Sequence, residues 1–193
     1  MGTMKRLAPL ALALSLGATA VALAATETWS VDPNHTTAQF TARHFGIVPV
    51  VGTIPVKKAA VKIESGSLIP SEVSAELDPA NEDTHNGMRD NDIRSGHYFD
   101  VSTYPNMTFQ STKITGNDPK HFTIAGNLTM HGQTHPVTLN ASVVAAGTTP
   151  RGRHVIAYSA TGSLDRTEWG MSFGPVIVSD GVDISLNVEA DAP

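Results

Sequence analysis

The amino-acid sequence predicts an all-β domain, an antiparallel meandering barrel of about eight strands with one short helical segment near residues 86–95. Three observations lead there. Apolar residues alternate with period two wherever a period is visible, helical spacing hardly appears, and turn residues interrupt the stripes at hairpin intervals. Closing such a sheet into a barrel removes the unpaired edges it would otherwise expose.

Taken in chain order, the first element is a leader. Residues 1–6 carry Lys5 and Arg6, residues 7–23 are apolar, and the run exits through the small-residue triplet Ala22-Leu23-Ala24. That is the layout of a secretory signal peptide cleaved before Ala25. An uncleaved anchor is the alternative, since the apolar run would just span a thin bilayer, but the small-x-small exit favours removal. Removing 24 of the 193 residues leaves residues 25–193 as one domain of 169, long enough to bury a core.

Two of the 13 Lys and Arg lie in the leader, so the mature chain carries 11 against 18 Asp and Glu, a formal charge of −7. Nucleic acid and anionic surfaces are therefore poor partners. There is no cysteine, so the domain is held by packing rather than disulfides and has no site for a lipid-modified cysteine.

The strands follow. Short stretches at Trp29 to Val31 and Val61 to Ile63 flank a stripe of Ala38, Phe40, Ala42 and His44, whose opposite face holds Thr37, Gln39, Thr41 and Arg43. Val73, Ala75 and Leu77 repeat the alternation, as do Met107 and Phe109. Phe122, Ile124, Gly126, Leu128 and Met130 form a five-position stripe answered by Val137, Leu139, Ala141 and Val143. The turn at His131-Gly132-Gln133-Thr134 makes these two a β-hairpin. Ile156, Tyr158, Ala160, Gly162 and Leu164 come next, after an exposed turn over residues 147–152, and Val182, Ile184, Leu186 and Val188 end the chain. Faces patterned in this way require a common interior. The outward faces carry Thr, Gln, Arg, Asn and Ser, not the apolar band of a transmembrane barrel, so stable membrane insertion is not expected.

Four blocks of the mature chain together resemble the YceI-like family. The first is Arg43-His44 with Gly46 and the Gly52-centred segment after it. The second runs from Asp83-Thr84 through Arg89-Asp90, Ile93-Arg94-Ser95 and Tyr98-Phe99-Asp100 to Tyr104-Pro105 and Thr108-Phe109. The third joins Gly126 and Leu128-Thr129 to Gly132, Thr134 and Pro136 to Leu139. The fourth is Leu164 to Met171. Two departures are visible: Asp92 stands where the family usually has His, and His97 where it usually has Asp. The resemblance implies a lipocalin-like, eight-stranded antiparallel barrel that binds polyisoprenoids or other long amphiphiles, commonly in exported proteins. A homodimer would also be in keeping with it. With the leader, the expectation is a periplasmic, non-catalytic carrier or store; the alternatives are an enzyme acting on such a lipid, with His44 and a nearby Asp as acid and base, and a stress-related structural module with a filled barrel.

The residues themselves allow such a role. Eight strands give an interior that is either filled by side chains or open to one ligand. The inward stripes mix Ala38, Ala42, Ala75, Ala141, Ala160, Gly126 and Gly162 with larger groups, which fits a partly vacant lumen, although small residues also serve curvature and close packing. On the residues alone, cavity and filled core are equally compatible. Burial contributes roughly 0.8 kcal/mol per methylene, so each five-carbon prenyl unit adds about 3–4 kcal/mol before entropic costs. Non-covalent binding saturates near −18 to −21 kcal/mol, so tunnel depth would choose the chain length.

The residues placed to meet such a guest are Phe40, Ala42, Phe122, Leu128, Leu139 and Tyr158 on the inward stripes, with Arg43 and His44 at the rim and Trp169 as a plug or packing residue. His44 shares the apolar face and suits a polar head group, or else is a satisfied buried histidine. Arg43 is able to bind a phosphate or carboxylate bidentately, or to form an exposed ion pair. Asp83, Arg89, Asp90 and Arg94 alternate in sign, which favours pairing that pins the segment across a barrel end, with lining of the entrance as the alternative. Asp165, Arg166 and Trp169 read as a loop lock. No cofactor fingerprint, nucleophile elbow or Walker loop is present. No metal site is expected either: His131 and His135 lack a third ligand at a usual spacing, and Asp90-Asn91-Asp92 fails as a calcium loop.

Overall fold

The structure is a computed structural model that describes Gly2 and residues 25–193. Apart from Gly2, the expected leader lies outside the described residues. The domain is a closed antiparallel barrel with ten strand segments: β1 (Thr26–Val31), β2 (Thr37–His44), β3 (Val48–Thr53), β4 (Val56–Glu64), β5 (Pro70–Leu77), β6 (Met107–Asp118), β7 (His121–Met130), β8 (Gln133–Thr148), β9 (His154–Asp165) and β10 (Gly181–Asp191). One helix, α1 (Gly87–Arg94), lies in the β5–β6 connection.

Ten segments make eight staves. β2 pairs with β3 and β1 with β4, so β1–β2 and β3–β4 are the two arms of one long hairpin, each broken near its middle. The first break spans residues 32–36 and contains Pro33, which cannot donate to a ladder. A break there lets one stave bend around the barrel wall. From β4 the sheet runs as a meander through β5 to β10. β10 closes it, pairing β9 on one side and β2, then β1, on the other, with Ile184 opposite Phe40 and Ala190 opposite Val31.

Alternation behaves as period two requires. Phe122, Ile124, Gly126, Leu128 and Met130 are all buried, and so are Val137, Leu139, Ala141 and Val143 on the neighbouring strand. Between them Met130 pairs with Gln133, leaving His131 and Gly132 as a two-residue turn, both at positive φ (48° and 71°). That left-handed pair matches the twist of the flanking strands, and the glycine takes the second position without strain. The β2–β3, β5–β6, β7–β8 and β9–β10 connections gather at one end of the barrel. The β4–β5, β6–β7 and β8–β9 turns and both ends of the described domain gather at the other.

The structure corrects one reading of the small residues. Gly126 and Gly162 do not hollow the lumen, because neighbours occupy the space a side chain would take. A Cβ on Gly126 would lie 2.3 Å from the Phe109 ring and 2.7 Å from Gln110 O, and one on Gly162 would lie 2.8 Å from a Leu139 methyl. Periodicity identifies the face but not which neighbour leans over it. Gly126→Ala should therefore push Phe109 off its seat and cost about 1–3 kcal/mol, an overpacking penalty. Urea unfolding of that variant measures it, and a change below about 0.5 kcal/mol would show that the ring moves freely.

Candidate functional site

The alanines, unlike the glycines, do border empty space. A cavity of ≈ 800 Å³ runs inside the barrel, and Ala38, Ala42, Ala59, Ala75, Ala141 and Ala160 all face it. That volume falls in the range of pockets that engulf a whole small molecule. Its middle is apolar. Phe40, Phe122, Leu128 and Leu139 line it as expected, and Tyr158 lies near the far end, where its hydroxyl donates to Leu68 O at 3.0 Å and its ring meets Phe122 edge to face. Burial pushes the Tyr158 hydroxyl pKa up, so it stays a neutral donor committed to that carbonyl.

The charged lining collects at the opposite end, where Arg43, His44, Arg89, Asp92 and Arg166 border the cavity with Asn86, while Thr36, Thr37 and Gln39 add polar groups by the β1–β2 break. Arg43 and His44 therefore both reach the mouth, although consecutive strand residues alternate faces, because β2 ends there. His44 is exposed and packs against the Phe45 ring at 4.1 Å, not enclosed by backbone. Among the described residues the Arg43 side chain has no hydrogen-bond or ion-pair partner, while its backbone clamps Ser179.

Trp169 does not line the cavity. It ends a single 3₁₀ turn (Arg166–Trp169), is 0 % exposed, and donates from Nε1 to Leu128 O at 3.0 Å. His131 donates from Nδ1 to Trp169 O at 2.7 Å, and His135 meets the indole edge to face. The two histidines that spacing alone would nominate as metal ligands thus hold a tryptophan in place. A separate trio by the β1–β2 break, exposed His35 with half-buried Asp32 and Glu189, brings ligand atoms within 4.8 Å of one another. Its members are already engaged, His35 with Asp32 and Glu189 with Arg153.

Two devices fix the mouth. Arg166, 4 % exposed, donates to the carbonyls of Met171, Val178 and Ser179 and to Asp180 Oδ1, and its guanidinium sits 5.6 Å from the Tyr98 ring centre. One side chain thereby folds the whole β9–β10 loop. The second device is α1, capped by Asn86 accepting from Arg89 N. The charges expected to pair among themselves do something else. Arg89 donates to Thr84 O and Oγ1, Asp90 accepts from Thr84 N and Oγ1, and Arg94 turns to Glu82 at 3.3 Å. Glu82 and Thr84 sit on the extended segment before the helix, where no periodicity marks them.

The two departures from the family pattern meet each other. His97 Nδ1 lies 2.6 Å from Asp92 Oδ1, and the His97 ring stacks on Phe173 of the β9–β10 loop, centroids 3.7 Å apart. Exchanging the two residue types across the pair keeps a carboxylate–imidazole contact between helix and loop. Met88, Phe173 and Ile177 also border the mouth without having been singled out; their signal in the sequence is large apolar residues inside otherwise polar connections.

Glu82 is buried, and neither carboxylate oxygen accepts a hydrogen bond among the described residues. Burial and the nearby Asp90 push its pKa up from 4.5 to about 7, against the opposing pull of Arg94. The folded state then binds a proton more readily than the unfolded chain, so this group costs no stability below pH 4.5 and its full cost appears above pH 7. Allowing for solvent screening, that cost is of order 2 kcal/mol. In Glu82→Gln the corresponding fall in stability between pH 4.5 and 7 should disappear, read as a flattened difference between variant and parent in pH-resolved urea unfolding. Parallel curves across that window would rule out Glu82 as its source.

Comparison with known proteins accords with this geometry. The family model for the YceI-like domain matches residues 29–190. The chain belongs to the YceI-like family. A UPF0312 protein of Pseudomonas putida is 30 % identical over 185 residues, covering 96 % of each chain, and one of Vibrio cholerae is 28 % identical over 155 residues, 80 % of this chain and 81 % of its own. Among solved structures, BcnA of Burkholderia cenocepacia superposes with a TM-score of 0.72 at 22 % identity, over 82 % of this YceI-like chain and 98 % of its own. A polyisoprenoid binding domain from Saccharophagus degradans superposes with a TM-score of 0.58 at 13 % identity, covering 89 % and 99 %. At these identities the structural likenesses establish the fold.

Proposed function

We propose that this YceI-like protein is an exported, non-catalytic carrier or store that holds a polyisoprenoid or similar long-chain amphiphile in its barrel lumen. The ≈ 800 Å³ cavity carries the reading, being mostly apolar along its length with its charged side chains at its mouth. An elongated lipid fits that division, with hydrocarbon among Phe40, Phe122, Leu128 and Leu139 and a head group beside Arg43 and His44. The neighbour named as a polyisoprenoid binding domain supports the same class of guest. A binding role also suits the lumen's chemistry, since the Tyr158 hydroxyl is committed to Leu68 O and Arg166 to the loop it folds. The leader-like residues 1–24 support a periplasmic location.

The test is direct. Protein purified from its own host should release a stoichiometric long-chain lipid on solvent extraction and mass spectrometry, and the emptied protein should take up a prenyl chain and melt at a higher temperature once loaded. No lipid recovered, together with no uptake, would overturn the proposal.

A further inference from the structure

Resting on the carrier reading, we propose that the mouth of the barrel docks on a phospholipid bilayer through an apolar collar formed by the β2–β3 turn and the β9–β10 loop, and that the guest passes between bilayer and lumen there. Of the ten exposed large hydrophobic side chains among the described residues, all but Leu68 and Val144 lie on the β2–β3 hairpin, α1 or the β9–β10 loop. A cluster of this kind on a chain with an otherwise polar exterior marks an interaction surface. Ile47 and Val176, at 76 % and 80 % exposed, are its tips.

The collar is one preformed unit. Phe45 N donates to Ile177 O at 2.8 Å, Ser179 N to Arg43 O at 2.9 Å and Arg43 N to Ser179 Oγ at 2.8 Å, which ties turn and loop together. It is also continuous with the cavity, since Val48, Met88, Phe173 and Ile177 are exposed and border the lumen as well. Apolar side chains therefore reach from solvent to the interior beside the charged groups of the mouth.

These features select a bilayer as the occupant. A long apolar guest has its reservoir in a membrane, and every methylene it must carry through water lowers the chance of desorption several-fold, so contact transfer through the collar avoids the largest barrier. A protein partner seated there would cover the opening. Arg43, whose side chain has no partner among the described residues, lies just behind the Phe45 turn and is placed at phosphate level while the tips enter the acyl boundary. Two of the nearby acids have side-chain partners, Asp92 with His97 at 2.6 Å and Asp180 with Arg166 at 3.0 Å. Because the mature chain carries more acidic than basic residues, apolar insertion is the driver, and zwitterionic vesicles should serve at least as well as anionic ones.

The experiment compares the exported protein with Ile47→Asp/Val176→Asp, neither position bordering the cavity. Flotation with phosphatidylcholine vesicles, with and without phosphatidylglycerol, reads docking, and transfer of a fluorescent prenyl lipid from those vesicles reads delivery. Loading from detergent reads capacity alone. The expected result is a loss of flotation and transfer of at least about tenfold with detergent loading unchanged. Ile47→Ser/Val176→Ser, which disturbs the turns less, should move in the same direction, and Ile47→Trp should strengthen flotation. Equal flotation and transfer in all variants would overturn docking while leaving the carrier reading intact. No loading of the parent from detergent or vesicles would overturn both. A variant that changes the sedimentation of the protein but not its vesicle transfer would assign the collar to self-association instead.

Discussion

Ala160→Phe should abolish lipid uptake while leaving the barrel folded. Ala160 is buried on β9, faces the cavity, and lies between Ala141 and Leu186 on the neighbouring strands. A phenyl ring there enters empty space, so folding meets no clash of the kind Gly126 presents. The guest loses that space. Displacing about one five-carbon unit forfeits about 3–4 kcal/mol, or two to three orders of magnitude in affinity. Titration of the emptied variant with a prenyl lipid measures the loss, and Thr161→Phe, on the exposed face of the same strand, is the control that keeps affinity. Unchanged affinity in Ala160→Phe would show that the guest does not occupy the lumen.

Arg166→Ala should be the most destabilising single substitution at the mouth, by about 3–5 kcal/mol. The guanidinium is nearly inaccessible, and its removal takes the donor away from the carbonyls of Met171, Val178 and Ser179 together. Each buried carbonyl left without a partner costs about 1–3 kcal/mol, while Asp180, being half exposed, recovers much of its solvation. The β9–β10 loop also carries Phe173, the seat of His97, so the contact between loop and helix should loosen as well. Urea unfolding gives the stability, and proteolysis of the 171–180 segment reports the loop. A loss below about 1 kcal/mol would mean that the strands alone hold the mouth shut.

The barrel was legible because side-chain alternation is a property of the strand itself. Stripes such as Phe122 to Met130 and Val137 to Val143 name their buried face without reference to any partner, and the glycine after His131 marks its own turn. The site was legible in part for the same reason. Phe40, Ala42, Phe122, Leu128, Leu139 and Tyr158 face the hollow because their stripes do, and Arg43 and His44 reach its mouth because β2 ends there. Trp169 looked equally suited, yet a single 3₁₀ turn rotates it behind β7, a change of direction that no strand period describes.

Local order along the chain therefore determined which residues face inward, how many staves there are, and that one short helix interrupts them. Whether that inward face encloses a filled core or a cavity of ≈ 800 Å³ was decided only in three dimensions, since volume depends on residues brought across the barrel from distant strands. The same holds for Glu82, for the stacking of His97 on Phe173, and for the collar that joins residue 45 to residue 177: each is a contact between segments whose separation in sequence carries no trace of their meeting.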